Sequence, residues 1–153
     1  MTVDGVGTDI RALVEDERRC WGEFQALLGS LSPEQAEQPG YFLEGWSAKD
    51  LLAHVAGWLA EAGQVLEQVR VGTFTGRDMN VEDRNAVFLE ANRPQPLRVV
   101  HAEAYAARTR LLQEVGQLVG ITAVADLWLR KAGPEHYAEH LPRLREWVKE
   151  LSG

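Results

Sequence analysis

The feature that most constrains the fold is a helical pattern of apolar residues that runs from Ser47 to about Val69. Its apolar residues recur every three or four positions, as on one face of an α-helix, and they are Leu51, Val55, Trp58, Ala62, Val65 and Val69. The Ser47 hydroxyl can cap this helix, and Asp50 can bond back to the backbone of Ser47. A helix of this length is about 35 Å long, so it spans a small domain.

The rest of the chain also shows helical patterns, and no segment alternates as a half-buried strand would. Three further long helices are predicted: one capped by Thr8 and ended by Gly29, one over Leu97–Val119 closed by Gly120, and a helical stretch from Ile121 to Leu151 interrupted at Gly133–Pro134. Two short helices are predicted as well, a single turn at Ser32–Gln35 and one opened by Asn80 and Asp83 that ends near Leu89.

Four long amphipathic helices predict an all-α fold, a four-helix bundle formed by residues 1–153 as a single domain. The link from Arg70 to Pro96 is long enough to return along the bundle. The second and third long helices are therefore predicted to run parallel, joined by this long crossover.

Composition narrows the range of partners and locations. The formal net charge is −7, which disfavours binding to nucleic acid or to an anionic membrane, since both favour a basic face. Cys20 is the single cysteine, so no intramolecular disulfide is possible and a cytoplasmic location is expected. Its apolar surroundings favour a buried packing role over a nucleophile. No signal peptide is expected at the N-terminus, and no uncharged run is long enough for a membrane span.

Three of the four histidines lie on inward or shoulder positions of two different predicted helices. His136 and His140 are four residues apart on the last helix, a spacing that allows both imidazoles to bind one metal ion. His54 lies within the long apolar helix. Each feature has a plainer explanation, because such pairs occur by chance and a core histidine can bond to a backbone carbonyl. Together, however, three imidazoles without a cysteine ligand would resemble a catalytic zinc site with an open position.

The other polar candidates have weaker roles. His101 has no partner at helical spacing and is expected on the surface or at a cap. Asp50 and Glu61 could each orient an imidazole, although capping its own helix is the simpler role for Asp50. Glu139 is expected to face away from the neighbouring histidines. Trp58 is expected in the core, with a pocket wall as the alternative.

The sequence resembles the DinB-like superfamily of four-helix bundles, with the ClbS/DfsB branch as the nearer match. The resemblance rests on "GWSAKDLLAHVAGW", "DRNAVFLEANRPQPL" and "EHYAEHLPRLREW", which occur in the same order and spacing. It implies an up-down-down-up bundle and a metal site formed by His54, His136 and His140. It also implies a divalent metal ion, nickel or zinc, and members often form homodimers. The Gly133–Pro134 break and Pro142 depart from the family pattern and could displace the histidines.

The activities implied by the resemblance are metal-dependent hydrolysis and transfer of a low-molecular-weight thiol, such as mycothiol or bacillithiol. One relative in the nearer branch hydrolyses the cyclopropane of a genotoxin. The sequence therefore predicts a metal-dependent enzyme that acts on a small electrophilic molecule. Two alternatives stay open: a non-enzymatic protein that sequesters a small molecule or a metal, and a structural dimer whose histidines only fill the core.

Overall fold

The structure is a computed structural model that describes the backbone of residues 2–42 and 45–153, with side chains from residue 10 onward in the same ranges. Within these ranges the chain forms α-helices and no β-strand, which confirms the all-α prediction. The helices are α1 Thr2–Gly29, α2 Pro33–Ala36, α3 Ala48–Val71, α4 Val81–Asn92, α5 Leu97–Gln117, α6 Ala123–Ala132 and α7 Pro134–Ser152.

Local capping fixes the start of α3 and of α2. The Asp50 backbone N–H donates to Ser47 Oγ at 3.1 Å, and the Ser47 N–H donates to the Asp50 carboxylate at 3.0 Å. Ser32 and Gln35 form the same reciprocal pair at the start of α2. Both capping boxes were predicted and are confirmed. They satisfy backbone donors that a helix terminus would otherwise leave unpaired.

Other boundaries differ from prediction by up to two turns. The prediction that α1 begins at Thr8 is wrong, because the helical backbone begins at Thr2. The Thr8 side chain lies outside the described residues. α5 ends at Gln117 rather than Val119. α4 begins where predicted, since Asn80 Oδ1 accepts a hydrogen bond from the Asp83 N–H at 3.0 Å, but it extends to Asn92.

The two middle helices of the bundle, α3 and α5, run parallel. At the start of both helices, Lys49 Nζ donates to the carbonyl oxygens of Arg93 at 3.1 Å and Gln95 at 2.8 Å. Towards their ends, Arg70 Nε donates to the Glu114 carboxylate at 2.7 Å. The predicted crossover is therefore confirmed, and it contains α4.

α1 runs antiparallel to α5. Glu17 of α1 pairs with Arg108 at 2.6 Å, and Trp21, one turn further along α1, contacts Tyr105, which precedes Arg108.

α1 is parallel to α7, since pairs between them advance together from Glu17–Tyr137 to Glu23–Arg145. These directions together give the up-down-down-up order that the resemblance implies. The core lies between the long helices and includes side chains with no exposed surface such as Phe24, Leu59 and Tyr137.

α4 differs from the other helices because it contains no buried residue. It rests against α3 through Phe88, whose ring contacts Trp58 edge to face with centroids 5.4 Å apart, and through Arg84, which pairs with Glu61. No described helix combines the length and apolar character that a membrane span requires.

Candidate metal centre

The three predicted histidines converge at one place between α3 and α7. The nitrogens that His54, His136 and His140 can offer as ligands lie within 4.8 Å of one another. His54 Nε2 is 2.9 Å from His136 Nε2, and the ring centroids of His136 and His140 are 5.0 Å apart. Each of the three residues is only 8% exposed, so the cluster lies below the surface.

The break at Gly133–Pro134 brings α7 into position. Pro134 occupies the first turn of α7, two residues before His136, as its fixed φ angle and missing N–H favour. Gly133 is needed for close packing, because a Cβ there would lie 2.9 Å from the Leu129 carbonyl oxygen and 3.4 Å from Glu17 Cγ. The break therefore does not keep the histidines apart.

Burial keeps these imidazoles neutral. It lowers the pKa of His54 to about 4, with a further contribution from His140, and it lowers the pKa of His136 to about 3, with contributions from His54 and His140. The pKa of His140 is also lowered by burial. Asn85 near His54 and the Ala132 carbonyl near His136 act in the opposite direction and raise these two pKa values slightly. Neither contact has the geometry of a hydrogen bond. All three side chains therefore offer lone pairs at neutral pH.

The donor set fits a divalent metal ion. Two neutral imidazoles whose Nε2 atoms are 2.9 Å apart need one proton between them, which leaves one Nδ1 unprotonated and the other protonated. The Nδ1 atoms of His54 and His136 are both buried without a hydrogen-bond partner. A cation that took the lone pairs of both Nε2 atoms would replace this hydrogen bond, and both Nδ1 atoms would then be protonated. Histidine nitrogen is a good ligand for zinc and nickel, among other metals.

The histidines form part of the wall of a cavity of about 930 Å³. This volume is within the range of small-molecule sites. The remaining walls are largely aromatic and apolar, with a few polar and charged groups. They are formed by Phe42, Trp46, Trp58, Val81, Asn85, Leu127, Trp128, Lys131, Ala132, Glu139 and Arg143.

Residues 18–151 match the family described as the mycothiol maleylpyruvate isomerase N-terminal domain. The chain belongs to this family. The family is part of the DinB-like superfamily, so the resemblance is confirmed at that level, and the ClbS/DfsB branch stays a prediction. Comparisons with curated proteins and with solved structures found no match.

Two acidic residues that were candidates for orienting an imidazole have other partners in this member of the family. Asp50 caps α3 by accepting from the Ser47 N–H, which is the simpler of its two predicted roles. Glu61 pairs with Arg77 at 3.1 Å and with Arg84, and it lines a separate groove of about 610 Å³. The suggestion that Glu61 orients His54 is therefore wrong.

The other single-residue predictions have mixed outcomes. His101 lies outside the cluster and stacks on Tyr105, at a centroid distance of 6.0 Å. Cys20 packs half-buried against the core, and burial raises the pKa of its thiol, as expected for a packing role. Trp58 forms part of the cavity wall, which was the alternative to the predicted core position. Glu139, expected to face away from the histidines, is exposed but lines the same cavity.

Several residues of the site were not predicted from the sequence. Tyr41 is fully buried, and its hydroxyl lies 3.2 Å from His140 Nδ1; burial raises its pKa well above the ordinary value. Asn85 of α4 accepts a hydrogen bond from Trp58 Nε1 at 2.7 Å. Lys131 and Trp128 line the cavity from α6. The aromatic pair in "QPGYFLEG" was a signal for Tyr41, but nothing in the pattern of α4 or α6 indicated which residues face the cavity.

Proposed function

We propose that this protein is a metal-dependent enzyme that transfers a low-molecular-weight thiol, or water, to a small electrophilic molecule. The observation that supports it best is the convergence of three buried, neutral imidazoles at the wall of a cavity large enough for a small molecule. When bound, a divalent ion would lower the pKa of a water or thiol beside it and so supply a nucleophile at neutral pH.

The proposed metal ligands are His54, His136 and His140, and nickel and zinc are the proposed ions. Among the residues that the structure describes, the group that could hold an ion consists of these three imidazoles and includes no carboxylate or cysteine. Three protein ligands leave room for water or substrate, the usual arrangement of a catalytic zinc site, whereas structural zinc sites are closed by four.

A thiol co-substrate is favoured because the name of the family refers to mycothiol. The proposed reaction forms a bond between the thiol sulfur and an electrophilic carbon of the substrate. In a substitution, the thiol proton passes to solvent and the leaving group departs with its bonding electron pair. In an addition to a double bond, the neighbouring atom takes the electron pair of that bond and then a proton, which balances the proton lost by the thiol. Hydrolysis, the activity associated with the ClbS/DfsB resemblance, would use water in place of the thiol.

The cavity walls would hold the substrate and limit the access of water. Phe42, Trp46 and Trp58 give an apolar surface for a carbon skeleton, and Trp46 lies against His54 with ring centroids 5.2 Å apart. A small molecule is therefore the partner we propose. The homodimer that the resemblance implies is a separate proposal, which sedimentation of the purified protein would test.

The first experiment measures metal in protein purified without a histidine tag, before and after incubation with nickel or zinc. We expect about one equivalent per chain in the wild type and a large loss in His54→Ala. The matched control is His101→Ala, which removes a histidine outside the cluster. Sub-stoichiometric metal in the wild type after incubation would contradict the proposal.

The second experiment tests turnover. Metal-loaded protein is mixed with mycothiol and 1-chloro-2,4-dinitrobenzene as a model electrophile, and the thioether product is followed by absorbance. We expect product formation by the wild type and His101→Ala and none above background by His54→Ala. Metal binding without turnover of thiol or water across a panel of electrophiles would instead favour a sequestering protein.

A further inference from the structure

We infer that Tyr41 is a positioning residue that holds His140 in the tautomer protonated at Nδ1, so that its Nε2 lone pair faces the other two histidines. Tyr41 belongs to the loop between α2 and α3. The Tyr41 hydroxyl oxygen lies 3.2 Å from His140 Nδ1 and 3.4 Å from the backbone carbonyl oxygen of the same residue.

The two contacts can both be hydrogen bonds in only one arrangement. A carbonyl oxygen can only accept, so the phenol must donate its one proton to the His140 carbonyl. The phenol oxygen then accepts from His140 Nδ1–H. A neutral imidazole with its proton on Nδ1 has its lone pair on Nε2.

The surroundings hold the Tyr41 hydroxyl in place. The Tyr41 side chain has no exposed surface, and its backbone N–H donates to the Trp46 carbonyl at 2.8 Å. Arg143, one turn after His140 on α7, donates to the carbonyl oxygens of Tyr41 at 2.7 Å and Gly40 at 3.1 Å. The loop is thereby fastened to the same helix that presents the histidine.

This arrangement makes His140 different from its two neighbours. The Nδ1 atoms of His54 and His136 are buried without partners, whereas His140 Nδ1 has one. Hydrogen bonds to the outer nitrogen of a ligating histidine fix its tautomer and orientation, and their loss costs about 10–100-fold in metal affinity. In this protein Tyr41 would have that role for one ligand of the three.

The direct test needs no variant. Long-range ¹H–¹⁵N correlation spectra of the metal-free wild type report which nitrogen of each imidazole has the proton. We expect His140 to be protonated at Nδ1, and a dominant Nε2–H form would overturn the inference. Because this readout uses metal-free protein, it stays decisive even if the proposed metal function fails.

The second test rests on the proposed metal site and compares two buried tyrosines. Tyr41→Phe should mix the two tautomers of His140 and raise the dissociation constant for zinc by about 10–100-fold. Tyr137→Phe is the matched control, since its hydroxyl is also buried but bonds to Glu17 at 3.1 Å, and it should leave zinc affinity near that of the wild type. Unchanged affinity in Tyr41→Phe, or an equal loss in both variants, would overturn the inference.

Discussion

Because Phe88 packs against Gly57, alanine substitutions at two glycines of α3, Gly57 and Gly63, are predicted to have different effects on stability. A Cβ added at Gly57 would lie 2.3 Å from Phe88 Cγ, whereas a Cβ added at Gly63 would find its nearest atoms at 3.7 Å, which is ordinary contact. Both glycines lie inside the same helix, where replacement by alanine stabilises by about 0.5–1 kcal/mol. Only Gly57→Ala must also displace a ring, and such overpacking costs about 1–3 kcal/mol.

Gly63→Ala should therefore stabilise the protein by up to about 1 kcal/mol, while Gly57→Ala should be neutral or destabilising by up to about 2.5 kcal/mol. Urea denaturation followed by far-ultraviolet circular dichroism measures both. In a Phe88→Ala background the obstruction is absent, so both alanine substitutions should stabilise equally. The reasoning is refuted if Gly57→Ala stabilises as much as Gly63→Ala while Phe88 is present.

Two further predictions concern buried charge and pH. Glu17 is fully buried against Arg108, so Glu17→Gln should lower the free energy of unfolding by about 3–5 kcal/mol. Glu23→Gln removes an exposed ion pair and should lower it by less than about 1 kcal/mol. Urea denaturation measures both, and similar losses in the two variants would contradict the prediction. The free energy of unfolding of the metal-free protein should fall as the pH drops from about 6.5 to about 4, because the unfolded chain protonates His54 and His136 in that window and the folded protein does not. Urea denaturation at several pH values gives the slope of the unfolding free energy against pH, which should be shallower for His54→Leu than for the wild type. An unchanged slope would count against neutral buried imidazoles.

The parts of the fold that were predictable from sequence depend on neighbours along the chain. Ser47 and Asp50 form a cap three residues apart, and His136 and His140 share a helix face by spacing alone. The length of the crossover also predicted that α3 and α5 are parallel. These features follow from backbone geometry, so a sequence pattern is sufficient to show them.

The parts that were missed depend on contacts between residues distant in the chain. Tyr41 contacts His140, which is 99 residues away in the chain, and Glu61 pairs with arginines that follow α3 rather than with a histidine on it. Asn85 lies on a helix with no buried residue, where apolar periodicity gives no sign of the inward face. Such residues become visible only when the packing of the helices is known.

The wall of the cavity is formed in part by the crossover helix α4, which differs from α3 because it contains no buried residue. His54 is buried on α3 beside core residues such as Val55, so changing it disturbs the bundle. Val81 and Asn85, in contrast, line the cavity from α4. Val81 is exposed, so substitutions there can reshape the cavity with little loss of folding stability, whereas Asn85 also accepts a hydrogen bond from Trp58. For the function proposed above, a change of specificity would be easiest to engineer at exposed positions of α4 such as Val81.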